Sequence, residues 1–231
     1  MLKYEKEKEK AAFKKMTFRE KLTHINNYYR LPIVIGIIAI LIGAWALDHY
    51  VIHPPKKPSL VIVTASSENV NLETEAIQQK LNELLPELCT DRQEIQVSAM
   101  LMKDDEYQTA YYNAQKFMAL VAAKSIDVVI GNEDIMKQYA ESEYFYNLDE
   151  FFTEEEREGL EIISCEVTVE YDTLGRPIKN EGPYPLLIKI GTPELFQSEF
   201  GTNQELYVGI IANSPNPESV KKFVEFLKEL Q

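Results

Sequence analysis

The sequence predicts an N-terminal transmembrane helix followed by one three-layer α/β domain. Three observations carry this. An apolar run, "LPIVIGIIAILIGAWALDHYVI", extends from Leu31 to Ile52 and is close to the roughly 20 residues needed to cross a hydrocarbon core. A proline-rich stretch, "HPPKKP", follows it. Beyond that, apolar strand patterns alternate with amphipathic helix patterns, which is the mark of a sheet covered by helices.

The first 30 residues form a basic tail. "KYEKEKEKAAFKK" alternates its charges before turning purely basic, and residues 1–30 are net positive by about five. Contact with anionic lipid is the sharper reading of this tail and a solvated, partly helical tail the plainer one, which the interspersed Glu favours. "TFRE" reads as a capping box, with Thr17 at the helix start and Glu20 reaching back. Residues 31–52 follow as the membrane-spanning segment, in contact with the lipid bilayer. The basic flank places the N-terminus in the cytoplasm and the remainder outside. Tyr28 and Tyr29 mark one interface, Trp45 and Tyr50 the other. A cleaved signal peptide competes with this reading, because "AWA" at 44–46 resembles a cleavage site ending at Ala46. The long basic region with its own helix signal favours an uncleaved anchor.

Residues 53–59 are a stiff linker, since proline cannot continue a helix and favours an extended chain. Residues 60–231 are the extracytoplasmic domain. "LVIVTA" (60–65) reads as a buried strand. "NLETEAIQQKLNELLPEL" reads as a helix with Ile77, Leu81, Leu84 and Leu85 on one face. "EIQVSAM" (94–100) is a strand, "EYQTAYYNAQKFMALVAAK" a helix, "IDVVIG" a strand and "EDIMKQYA" a short helix. Together they make a βαβαβα unit. "TEEERE" then opens an acidic helix through a second capping box, Thr153 with Glu156. "EIISCEVTVEYDTLGRPI" predicts a hairpin turning at Leu174-Gly175, and "GPYPLLIKIG" a further strand. "TPELF" predicts a short helix capped by Thr192 with Pro193 at its first position. "ELYVGIIAN" is a strand. "NPESVKKFVEFLKEL" is a closing helix, with Asn216 as cap, Pro217 at N1, and a core stripe of Val220, Phe223, Val224 and Leu227.

Charge and motifs exclude several classes. The formal net charge is −13, and it sits beyond the basic tail, so the main body repels nucleic acid. The histidines, His24, His49 and His53, all lie at or near the membrane segment, which leaves no Ser–His nucleophile in the domain. No H-E-x-x-H, P-loop, G-x-S-x-G or G-x-G-x-x-G pattern occurs. "KDDE" at 103–106 lacks calcium-loop spacing. The expectation is a non-enzyme without cofactor. Cys89 and Cys165 are the only cysteines, and their spacing leaves open whether they pair. Gly36 and Gly43 are seven apart, which is not a G-x-x-x-G helix-pairing motif.

Two stretches carry a family resemblance. "FMALVAAKSIDVVIGNEDIMKQYAESEYFYNLDEFF" and "LYVGIIANSPNPESVKKFVEFL" resemble segments of the extracellular solute-binding proteins of bacterial ABC importers, in their type II fold. The first is similar to the stretch that ends a helix, lays a strand and reaches the cleft. The second is similar to the late strand and helix that return to the first lobe. The resemblance covers roughly a third of the outer part and implies a single lobe, since about 170 residues follow the linker, within one domain's range. Most of a second lobe is absent.

In open parallel α/β sheets, ligands sit outside the carboxyl ends of the strands. That rule selects "ASSEN" (65–69) and "GNED" (131–134), and the resemblance assigns the matching loops to the cleft. The candidate ligand-binding residues are Ser66, Ser67, Glu68, Asn132, Glu133 and Asp134. Ser and Asn suit a polar solute, and the acids suit hydroxyls or a cation. The competing reading is that Asn132 merely caps a helix whose first turn favours Glu133 and Asp134. Tyr107, Tyr111 and Tyr112 are candidates for stacking on a sugar, with packing on the sheet the favoured reading. "YFYNLDEFF" is read either as an aromatic platform or, in preference, as a plug for the lobe. Two functions remain. One is a single-pass protein that binds a small polar or cationic solute, or senses it for a membrane-protein partner. The other is a scaffold that kept the fold, lost the ligand and binds another protein of the membrane or envelope.

Overall fold

The structure, a computed structural model, describes residues 17–52, 54–66, 74–101, 107–173, 177–200 and 204–230. The chain divides into two compact units, Met1–Pro55 and Lys56–Gln231.

Among its described residues, the first unit is one long helix. Helix α1 spans Phe18–Leu47 and continues as a π-helical turn, Asp48–Ile52. The carboxylate of Glu20 accepts from the Thr17 N–H at 2.8 Å and from the Thr17 hydroxyl at 2.9 Å. The backbone N–H of Thr17 lowers the Glu20 pKa most. The stretch Arg30–Ile52 is long and apolar enough to cross a membrane, about 34 Å at helical rise against a core of about 30 Å. Its large side chains face outward, Ile40 at 71% and Ile42 at 60% exposure, and such a surface demands an apolar surrounding. Trp45 stacks on His49 at 5.3 Å between ring centroids, and Tyr50 meets both rings edge-on. The basic tail before residue 17, His53, and the side chains of His24, Tyr28 and Tyr29 lie outside the described residues.

The second unit is a mixed α/β domain built on one six-stranded sheet, ordered β2-β1-β3-β6-β5-β4. Strand β1 (Lys57–Ser66) is parallel to β2 (Gln93–Leu101) and to β3 (Val128–Asn132). This is the expected βαβαβ unit, with helices α2 (Thr74–Leu84) and α3 (Tyr107–Ala122) as its crossovers. Helix α4 (Glu133–Glu141) and the single turns α5 (Leu148–Phe151) and α6 (Glu154–Arg157) follow. The remaining strands are antiparallel: β4 (Glu161–Tyr171), β5 (Pro177–Gly191) and β6 (Leu206–Ile210), with β6 lying between β3 and β5. A turn, α7 (Gln197–Phe200), precedes β6, and α8 (Pro217–Glu229) closes the chain.

Alternation along the strands makes two cores. Leu60, Ile62, Val128, Ile130, Val208 and Ile210 point to one face, where Ile77 and Leu81 of α2 and the stripe Val220, Phe223, Val224 and Leu227 of α8 cover them. Val63, Ala65, Val129 and Tyr207 point to the other, under Phe117 of α3 and Ile135, Met136 and Ala140 of α4. Successive strand residues face opposite ways, so central strands with both faces covered read as unbroken apolar runs.

Several expectations need correction. Leu84 does not join the buried face of α2; it is 52% exposed, at the helix end, while Leu85 turns in. "GPYPLLIKIG" is not a separate strand but the second half of β5, which runs continuously through Gly182 and Pro183. Prolines are tolerated there because β5 pairs with β6 only from Leu187 onward, and strand prolines belong where no ladder bond is required. Thr192 does not cap a helix; Pro193 stays extended and a 3-10 turn occupies Glu194–Phe196. Helix α8 begins at Asn216 and Pro217 as expected, but the Asn216 side chain makes no cap bond. The Thr153–Glu156 capping box forms as expected. The turn at Leu174-Gly175 lies outside the described residues.

The Asn216 amide serves Asp127 instead. Asp127 is fully buried just before β3. Its carboxylate accepts from the Val61 N–H at 2.8 Å, the Ser214 hydroxyl at 2.5 Å, and the Asn216 backbone N–H and side-chain amide, each at 3.1 Å. The main chain of Asp127 adds bonds to Val61 and Ile211. One residue thus joins β1, β3, the end of β6 and the start of α8. On the other face, Gly209 of β6 lies against the Phe145 ring, where an added Cβ would come within 2.5 Å of a ring carbon. A third fastening lies outside the sheet. Lys221 of α8 donates to both carboxylate oxygens of Glu156, at 2.8 and 3.0 Å, and Lys228 donates to the Glu156 and Glu158 carbonyls.

Three outcomes follow in denaturation experiments. Asp127→Ala leaves several buried donors without an acceptor and lowers stability by about 3 kcal/mol in urea titration. Gly209→Ala forces the enclosed Phe145 ring to shift and costs about 1–3 kcal/mol. Lys221 holds the Glu156 carboxyl below its usual 4.5, so that contribution is complete above the ordinary carboxylate range and is lost as pH falls through the depressed value. The midpoint difference between wild type and Glu156→Gln, measured from pH 7 to pH 3, shrinks toward zero at the acid end.

Candidate functional site

The carboxyl ends of β1 and β3 lie side by side, with Ala65 paired to Gly131. This proximity requires a glycine, because a Cβ on Gly131 would stand 2.9 Å from the Ala65 carbonyl oxygen and 3.2 Å from Met136. The next residue on each strand is a candidate, Ser66 on β1 and Asn132 on β3. Ser66 is buried and Asn132 half-buried. Ser67 and Glu68 lie outside the described residues, as does "KDDE" at 103–106.

Asn132 caps α4: its side-chain oxygen accepts from the Ile135 N–H at 3.3 Å. Glu133 and Asp134 occupy the exposed first turn, where carboxylates favour the helix dipole. The Glu133 carboxylate pairs with Lys137 one turn on, at 2.5 Å. That bond lowers the Glu133 pKa and raises the lysine's. The anticipated capping role is therefore present, and it leaves Asp134 as an exposed acid beside a neutralised pair.

Residues from the late strands extend this cluster. Tyr207 of β6, a buried residue, pairs with Gly131 in register, and its hydroxyl lies toward Glu133. Burial raises the Tyr207 pKa most, with the Glu133 carboxylate adding to it. Lys189 of β5, the register partner of Tyr207, pairs with Glu205 at 2.8 Å and lies 3.7 Å from Glu161. On the β6 and β5 side of Asn132 these residues set alternating charge and one phenol beside the start of α4. Sequence reasoning missed Lys137, Tyr207, Lys189 and Glu205. Only Lys137 carried a local signal, its i,i+4 spacing from Glu133. The others arrive through β5 and β6, more than fifty residues later.

The aromatic candidates sort differently. Tyr111 and Tyr112 do not pack on the sheet; they are 54% and 68% exposed on α3, their ring centroids 6.4 Å apart. The apolar needs of this helix are met by Phe117, which is buried. The Tyr107 side chain lies outside the described residues. "YFYNLDEFF" is core rather than platform: Phe145, Leu148 and Phe152 are buried, and Tyr144 meets Phe117 edge-on at 5.3 Å. Cys89 and Cys165 are free thiols in the cores on opposite faces of the sheet. Burial raises the Cys165 pKa, and Cys89 donates to Asn82 at 3.0 Å. Among the described residues, no group of His, Cys, Asp or Glu is arranged to hold a metal.

Asn132→Ala removes the α4 cap and lowers stability by about 1 kcal/mol, measurable by urea denaturation. In comparisons with known proteins, no family model, curated protein or solved structure matches this chain.

Proposed function

We propose that this chain is a single-pass membrane protein whose outer domain binds a small polar or cationic solute at the carboxyl ends of β1 and β3. Binding, rather than catalysis, is its role. The observation that carries the reading is the juxtaposition of Ala65 and Gly131. It sets Ser66 and Asn132 beside each other where parallel α/β sheets receive ligands. Ser66 and Asn132 supply hydrogen bonds, and Asp134 supplies uncompensated negative charge for a cation or hydroxyl. The resemblance to a lobe of a type II solute-binding protein is supported by the βαβαβ unit and by β6, the late strand, lying directly beside β3. The basic residues ahead of Leu31 favour an N-terminus in the cytoplasm and an outer domain beyond the membrane. In that arrangement the domain presents solute to, or senses it for, a membrane-protein partner.

A second reading, a partner-binding scaffold without a ligand, draws on a different observation. Val169, Tyr171, Ile178 and Tyr184 of the β4–β5 hairpin are exposed.

A thermal-shift screen of residues 56–231 against sugars, amino acids, polyamines, peptides and metal ions tests the first reading. A ligand at 100 times its Kd adds about 2.7 kcal/mol and raises Tm by several degrees. The increment is expected to vanish in an Asn132→Ala, Asp134→Ala double variant, even though that variant starts from a lower Tm. A folded domain that no compound shifts overturns solute binding of these classes.

A further inference from the structure

The two outer strands of the sheet are treated differently. The edge of β2 is sealed by side-chain amides. Asn82 accepts from the Ile95 N–H at 2.9 Å, Gln78 accepts from the Val97 N–H at 3.1 Å, and Asn113 donates to the Leu101 carbonyl at 2.7 Å. These groups occupy the main-chain positions that an added strand would use.

At the opposite end, among the described residues, β4 pairs only with β5 and carries no such amides on its outer edge. Strand β5 pairs with β6 only over Leu187–Gly191, and its earlier residues, Pro177 to Pro185, pair with β4 alone. Gly191 lies level with Asn132 through their common partner Leu206. The hairpin therefore runs away from the candidate solute site, past the amino end of β3. It is a two-stranded arm roughly 30 Å long at strand rise. Cross-strand bonds hold it together, Thr168 to Asn180 at 3.1 Å and Asn180 to Glu166 at 3.0 Å. A two-stranded ribbon in water is marginal by itself, yet this one exposes Val169, Tyr171, Ile178 and Tyr184.

Charge selects the occupant. Among the described residues of the two paired strands, Glu166, Glu170 and Glu181 outnumber Lys179, and Lys179 is already engaged with Glu181 at 2.7 Å. A second copy would bring the same acidic surplus to a two-fold contact. A strand that alternates apolar and basic residues would pair along the outer edge of β4, cover the exposed side chains and neutralise the acids.

We propose that the β4–β5 arm is a docking edge for an extended, lysine- or arginine-bearing segment of a partner protein, which adds a strand to the ribbon. This rests on the partner-binding reading and holds whether or not a solute binds at Ser66 and Asn132.

The test uses the full chain in detergent micelles and two labelled peptides of about ten residues, one alternating lysine with valine and threonine, the other with glutamate in place of lysine. The lysine peptide is expected to bind at least about tenfold more tightly by fluorescence anisotropy and to slow amide exchange across β4 and the first half of β5. A Glu166→Lys, Glu170→Lys variant loses about tenfold of that affinity. A Glu154→Lys, Glu155→Lys variant, with the same change of net charge on α6, stays within about twofold of wild type. Equal binding of both peptides, equal losses in both variants, or no slowing of arm amides overturns the proposal. Protection of the arm by concentration-dependent self-association, seen by sedimentation, assigns the edge to a second copy and overturns it as well.

Discussion

Asp127 is the point on which the sheet is assembled. Burying a carboxylate costs several kcal/mol unless its oxygens are satisfied. Here the Val61 N–H, the Ser214 hydroxyl and both nitrogens of Asn216 satisfy them. The donors come from β1 and from the turn between β6 and α8, which are far apart in the chain. The antiparallel return of β6 and the placement of α8 therefore depend on a single side chain at the mouth of β3. This also explains why Asn216 stands at the start of α8 without capping it. Its amide is committed to the neighbouring carboxylate.

Given that anchor, the rest of the domain is arranged by alternation and by edges. The central strands send successive residues to opposite cores, so each needs a helical cover on both sides. Helices α2 and α8 cover one face and α4, with α3, the other. The tight approach of the Phe145 ring to Gly209 lets the chain after α4 lie flat on the sheet. The β2 edge is closed by amides from α2 and α3, whereas β4 and the first half of β5 extend beyond their neighbours. The two ends of the sheet thus carry different physics. One is finished by side-chain amides; the other leaves Val169, Tyr171, Ile178 and Tyr184 exposed.

At the carboxyl ends of β1 and β3 the polar groups serve the fold first. Asn132 spends its oxygen on α4, and Glu133 spends its charge on Lys137. Lys189 offsets part of the charge of Glu205 and Glu161. Glu133, Asp134, Glu161 and Glu205 still outnumber Lys137 and Lys189 here, so this rim keeps the acidic sign of the whole domain.

The sequence by itself determined what depends on near neighbours. The apolar length from Leu31 to Ile52, the βαβαβ order, the Thr153–Glu156 capping box and the buried stripe of α8 all arise from spacing within one or two turns or strands, and each was legible. So was Asn132 as a cap, and with it the start of α4. What the tertiary structure decided depends on segments meeting across the sheet. Asp127 reads locally as one polar residue before an apolar strand; its role exists only once Ser214 and Asn216 arrive. Tyr207, Lys189 and Glu205 join the rim only because β5 and β6 insert beside β3. Tyr111 and Tyr112 hold helical positions that suit packing, yet α3 presents Phe117 to the sheet and leaves both tyrosines outside. The continuity of β5 through Gly182 and Pro183 likewise needed the finding that no β6 residue pairs with β5 there. Periodicity reports which face a residue takes, while register and edge position are set by long-range pairing that no local pattern contains.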